Sequence, residues 1–141
     1  MFVLDTNVLS AVMGSQPVPE VAAWLAAQPE AQLFTTTVCQ AEILAGVEIL
    51  SEGRRRRILE VAAKAIFAEV FDGRILPFDQ KSAEHYAAIF VTRKRAGKAT
   101  SATDLMIAAI ARAAGATMVT RDIRGFEGCG LTVINPWDAA P

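Results

Sequence analysis

At 141 residues the chain reads as a single domain, residues 1–141, long enough to bury a full core without disulfide or metal staples. An apolar content of 52% excludes disorder, and 21% charged residues give an ordinary soluble surface. Fourteen Lys and Arg against fifteen Asp and Glu leave a formal charge of -1, so no whole-molecule field attracts nucleic acid and any such partner must be met by a local patch.

The first element is FVL at 2–4, a short apolar strand that runs straight into an acid, a hydroxyl and an amide at Asp5, Thr6 and Asn7. A brief helix from about Asn7 to Met13 follows, broken by Gly-Ser-Gln-Pro at 14–17. EVAAWLAAQ at 20–28 reads as a short helix with Val21, Trp24 and Leu25 on one face, ended near Pro29. LFTT at 33–36 is the expected second strand, and Thr37 with Gln40 is expected to cap the helix VCQAEILAGVEIL. Glu52-Gly53 divides that helix from a long amphipathic one over about 54–71, which opens with four arginines.

RILPF at 74–78 is the expected third strand, and a helix from about Gln80 to Arg95 leads into the basic loop KRAGKAT. Ser101 and Asp104 have the spacing of a capping box before LMIAAIARAAG, whose end Gly115 marks. ATMVT at 116–120 is a buried-looking strand ending at Arg121-Asp122, and LTVINP closes the sheet. Strands and helices alternate without hairpin signals, which predicts an α/β fold with a mostly parallel sheet covered on both faces. Ligands of such sheets collect at the C-terminal ends of strands. Asp5 and Asp122 each follow a strand directly, so neighbouring strands would put them on one rim.

Two further acids interrupt apolar surroundings, Glu42 in AEILAG and Asp104 in SATDLMIAAIA. Helices starting at the same rim would bring both carboxylates toward Asp5 and Asp122. Four unpaired carboxylates repel one another, and a hard divalent cation with oxygen ligands removes that cost. Such a cation activates water and neutralises a phosphodiester in in-line displacement, which makes a general-base histidine unnecessary. The only histidine, His85, lies far in sequence from every acid named. Each acid also has a local role open to it: an Asx turn or helix cap for Asp5, a half-exposed helix position for Glu42, the capping box with Ser101 for Asp104, and a turn with Arg121 or Arg124 for Asp122.

Other readings are narrower. Cys39 and Cys129 belong to no motif and suggest a reducing compartment. MFVLD has no basic leader region, and the longest apolar run, LMIAAIA, is too short to span a bilayer, so a cytoplasmic protein without membrane contact is expected. No G-x-G-x-x-G or Walker sequence appears. A phosphatase with Asp5 as nucleophile would want an acid where Asn7 stands, and a phosphoacceptor receiver would want an acid pair at the first strand. Arg54 to Arg57 read as a solvated helix start. Arg93, Lys94, Arg95 and Lys98 have the better claim on RNA phosphates, because they precede the helix that bears Asp104. Trp24, Leu25, Phe67, Val70 and Phe71 read as core or as an oligomer surface.

MFVLDTNVLS, AEILAG, TDLMIAAIA and TRDIRGFEGCGLTVINPW together resemble the PIN domain family, most closely the toxin nucleases of bacterial VapBC-type toxin-antitoxin pairs and their FitB-like members. The likeness runs in order from residue 2 to residue 137. It implies a PIN-like three-layer α/β/α sandwich with four to five strands and a ribonuclease that uses Mg²⁺, with Mn²⁺ as substitute. Asp5, Glu42 and Asp104 match the acidic core, Asp122 matches a fourth position, and Thr6, Asn7 and Thr120 match the small polar residues that orient these ligands. The family commonly reads Thr-Arg-Asn-x-x-Asp-Phe where this chain reads TRDIRGF, so Asp122 replaces an Asn and Gly125 an Asp. The resemblance further implies RNA as substrate, a homodimer, a VapB- or FitA-like antitoxin as inhibitor, and operator DNA bound through that antitoxin. A non-catalytic PIN-fold protein acting within such a complex is the alternative.

Overall fold

The computed structural model describes residues 1–99 and 101–138. Five short strands form one sheet: β1 (Phe2–Leu4), β2 (Leu33–Thr36), β3 (Ile75–Leu76), β4 (Thr117–Val119) and β5 (Val133–Ile134). Their order is β3-β2-β1-β4-β5 and every pairing is parallel, with Val3 opposite Phe34 on one side and Met118 on the other. Six helices connect them: α1 (Thr6–Val12), α2 (Pro19–Ala26), α3 (Thr37–Glu48), α4 (Arg54–Ala65), α5 (Gln80–Arg95) and α6 (Ala102–Ala113). Crossovers between parallel strands are right-handed, so winding outward from β1 to β3 and then back across to β4 puts α1–α4 on one face and α5 and α6 on the other. The winding reverses between β1 and β4, where an open α/β sheet leaves its ligand crevice.

Burial follows from the sequence pattern. Val3, Leu4, Met118 and Val119 are at most 1% exposed, as the central strands of a sheet covered on both faces must be. In α6, Ile107, Ala108, Ala109 and Ala111 are fully buried, the small alanines admitting close approach to sheet and α5. Phe2 and Trp24 meet edge to face at 5.2 Å, while Phe67 and Phe71 join the core. That aromatic stripe is therefore core, with Val70 left at the surface.

Some expected boundaries move. The cap of α3 is Thr36, whose Oγ1 accepts from Cys39 N–H at 3.0 Å, one residue before the expected Thr37. β3 and β5 contract to two residues each. The long helix over 54–71 changes at Ile66 into a single π-helical turn ending at Val70. Cys39 and Cys129 are both buried and unpaired. Among the described residues no helix is long and apolar enough to cross a membrane.

Candidate acidic site

β1 ends in Asp5, which N-caps α1: its Oδ1 accepts from Thr6 N–H at 2.8 Å. The local reading of this residue therefore holds, and it leaves the second oxygen free for other use. Asp5 Oδ2 accepts from Thr120 Oγ1 at 2.7 Å, across the β1–β4 pairing, and from Asn7 Nδ2 at 3.4 Å. Thr120 Oγ1 also accepts from Asn7 Nδ2 at 3.2 Å and from Asp122 N–H at 3.0 Å. One hydroxyl proton and two lone pairs are thus all engaged. Asn7 Oδ1 takes the N–H of Arg121, fastening the end of β4 to the start of α1.

The remaining acids arrive from both layers of helices. Glu42, in the second turn of α3, accepts from Thr6 Oγ1 at 2.8 Å. Asp104 occupies the first turn of α6, where its N–H donates to Ser101 Oγ at 3.4 Å. Ser101 therefore caps the helix, while among the described residues the Asp104 carboxylate takes no hydrogen bond and stays available. Asp122 turns back, its Oδ1 accepting from Gly125 N–H at 3.0 Å.

The placement of these charges shifts the ionisation of Asp5 and Asp104. Asp5 is 5% exposed, and burial pushes its carboxyl up to about 6 against the hydrogen bonds from Thr120 and Thr6, with the charges of Asp104 and Glu42 pushing the same way. Asp104 is raised too, first by burial and then by Asp122 and Glu42, while Arg93 opposes the shift. Carboxylates that share a rim, with Asp5 and Asp104 both pushed toward the protonated form, are the donor set that a hard divalent cation prefers. The set is not a closed cage: among the described residues no three His, Cys, Asp or Glu side chains stand at ion-holding separation. Glu42, Asp122 and Asp5 are instead turned toward the hydroxyl and amide groups named above. Their oxygen-donor chemistry fits such a cation.

The hydroxyl of Thr120 gives a first test. Thr120→Val keeps the shape but strands Asp5 Oδ2, the Asp122 N–H and Asn7, so it is expected to cost about 1–3 kcal/mol in urea unfolding. Thr120→Ser should recover most of that loss. Equal stability of the valine and wild-type proteins would show that the network carries no weight.

The basic cluster departs from expectation. Arg93 is 4% exposed, and its guanidinium donates to the carbonyls of Ala99 at 2.7 Å and Glu127. It is not a surface contact for a phosphate: it ties the loop before α6 to the segment after β4. Lys94 lies over Phe90, Lys98 pairs with Glu127 at 3.4 Å, and Lys94, Arg95 and Lys98 are exposed. A groove of about 770 Å³ was missed by the sequence reading. It leads from Thr6 and Glu42 over Met13, Val47 and Ile58 to Arg54 and Arg55. The available signal was the arginine run itself, since cations at a helix N-terminus oppose its dipole and gain nothing there for stability.

The PIN domain family model matches residues 2–128. The chain is 37% identical to the VapC ribonuclease Y4jK of Sinorhizobium fredii, over 99% of this chain and 100% of that one. It is 36% identical to Toxin FitB of Neisseria gonorrhoeae, over 97% of this chain and 99% of that one. A solved structure of FitAB bound to an IR36 DNA fragment superposes with a TM-score of 0.91 at 35% identity, covering 100% of this chain and 99% of that one.

Proposed function

Because the chain belongs to the PIN domain family, we propose that residues 1–141 act as one domain, a metal-dependent ribonuclease toxin that hydrolyses RNA phosphodiester bonds and is neutralised by a cognate VapB- or FitA-like antitoxin. The observation that carries this reading is the convergence of Asp5, Glu42, Asp104 and Asp122 at the β1–β4 crevice with Asp5 held near pKa 6. Those four carboxylates would hold Mg²⁺, or Mn²⁺ in its place. The ion, when bound, neutralises charge on the phosphodiester and activates water.

The chain's own groups do the rest. Thr120 and Asn7 fix the Asp5 carboxylate, Thr6 fixes Glu42, and loss of such supporting contacts costs about 10–100-fold in metal affinity or activity. Arg93 braces the loop that leads to Asp104. Lys94, Arg95 and Lys98 are the cations offered to the RNA backbone; the exposed Lys98–Glu127 pair is weak enough to be exchanged for a phosphate. The apolar groove with Glu42 at one end suits an antitoxin tail whose basic side chain reaches the acids. A homodimer, and operator DNA bound through the antitoxin, complete the proposal, supported by the likeness to FitAB bound to DNA.

The test is cleavage of a defined RNA pool by highly purified protein beside an Asp5→Asn preparation made identically. Cutting is expected only with a divalent ion and only from the wild type, with EDTA abolishing it and His85→Ala leaving it intact. An antitoxin tail carrying Arg should suppress cutting better than its Arg-to-Ala variant, since charge-paired buried contacts cost about 2–5 kcal/mol to break. Equal activity in the two preparations would expose a contaminating nuclease. No activity on any RNA, with antitoxin binding intact, would make this a non-catalytic PIN-fold partner.

A further inference from the structure

Gly125 has no side chain, and the space one would fill is already taken. A β-carbon built on it lies 2.4 Å from Asp122 Oδ2 and 2.9 Å from its Cγ, separations that real side chains essentially never show, and a tight 3.3 Å from Oδ1. No other glycine among the described residues meets an obstacle closer than 3.4 Å. Conformation does not explain the residue either: seven glycines have positive φ and Gly125 is not among them. Alanine would suit its backbone, so the demand here is for room.

The room is used by one carboxylate. Gly125 N–H donates to Asp122 Oδ1, closing a turn from 122 to 125 that runs into the short 3₁₀ turn Arg124–Phe126. Both ends of this segment are pinned, by Thr120, which is fully buried and bonds Asp122 N–H, and by Phe126 at 1% exposure. A β-carbon at 125 therefore cannot be relieved by swinging the turn aside, and the Asp122 carboxylate must leave. Its present position matters to the site, because the Thr120 hydroxyl that accepts from Asp122 N–H is the one that donates to Asp5 Oδ2.

We propose that Gly125 is a positioning residue: its missing side chain is the seat of the Asp122 carboxylate, holding that acid beside the Thr120–Asp5 pair and making position 122 the source of the fourth acid on the rim. The inference rests on the four-acid metal reading given above. It predicts a transposition as well, since a side chain carried from 125 would start 2.4 Å from where Asp122 Oδ2 now lies.

Mn²⁺ calorimetry and metal-free thermal melts on wild type, G125A, D122A, D122A/G125A, D122A/G125D and D5N test it. G125A should weaken Mn²⁺ binding about as much as D122A, on the order of tenfold, and the double variant no further. D122A/G125D should regain most of the affinity. In EDTA, G125A should melt lower than wild type when Asp122 is present. Once D122A has removed that carboxylate, adding G125A should cause no further loss, which also makes the double variant the control for folding. Additive losses in D122A/G125A, or wild-type affinity in G125A alongside weakened D5N, would overturn the inference alone. A wild type that binds no Mn²⁺, or a D5N protein that binds it equally well, would remove the four-acid reading and the inference with it.

Discussion

Asp104→Asn is expected to weaken Mn²⁺ binding by more than tenfold and yet to melt at or above the wild type when no metal is present. Asp104 lies half-buried, takes no hydrogen bond on its carboxylate among the described residues, and is pushed up by burial, then by Asp122 and Glu42. Neutralising it removes repulsion and desolvation together. Against that stands the loss of a negative charge in the first turn of α6, worth about 0.3–1 kcal/mol. Two repelling neighbours and burial outweigh one favourable helix end. Added Mn²⁺ should reverse the order, because an ion at 100 times its dissociation constant stabilises the folded wild type by about 2.7 kcal/mol. Loss of stability in the variant both with and without metal would return Asp104 to the role of a helix-start residue.

Metal-free stability should fall as pH rises from about 4 to about 6, and Asp5→Asn should remove most of that fall. The carboxyl of Asp5 moves from 3.8 to about 6 on folding. Within that window the folded chain keeps a proton that the unfolded chain has released, so raising the pH favours unfolding. The difference of about two units amounts to about 3 kcal/mol, in full above pH 6 and absent below about 4. Asn at position 5 keeps an acceptor for Thr6 N–H and carries no charge. A smaller slope of the same sign should remain from Asp104, whose carboxyl is also raised. Urea unfolding in EDTA at several pH values measures both, and parallel curves for the two proteins would show that Asp5 is already ionised at low pH.

Sheet and rim were readable because the signals were local. An apolar run that stops at an acid marks both a buried strand and the residue at its exit, as FVL does before Asp5, whereas Asp122 follows β4 only after Thr120 and Arg121. The boundaries of β2 and α5 agree with the expected ones because turn and cap residues bracket them. The cap of α3 slipped by one position because Thr36 and Thr37 carry the same hydroxyl. Arg93 was misjudged since composition marks a basic run without saying which member faces inward. Its spacing of four from the fully buried Ile89 held that information. The collision between Gly125 and Asp122 had no sequence signal of its own: it depends on how the segment after β4 is pinned at both ends.

The hydrogen bond from Thr120 to Asp5 joins residues 115 positions apart. A ribosome adding about 5–20 residues per second needs roughly 6–23 s to cover that distance. Throughout that interval β1 exists without β4, Asp5 lacks its hydroxyl donor, and Asp104 and Asp122 are unmade or unplaced. The four acids are therefore first brought to one rim only when translation is nearly over.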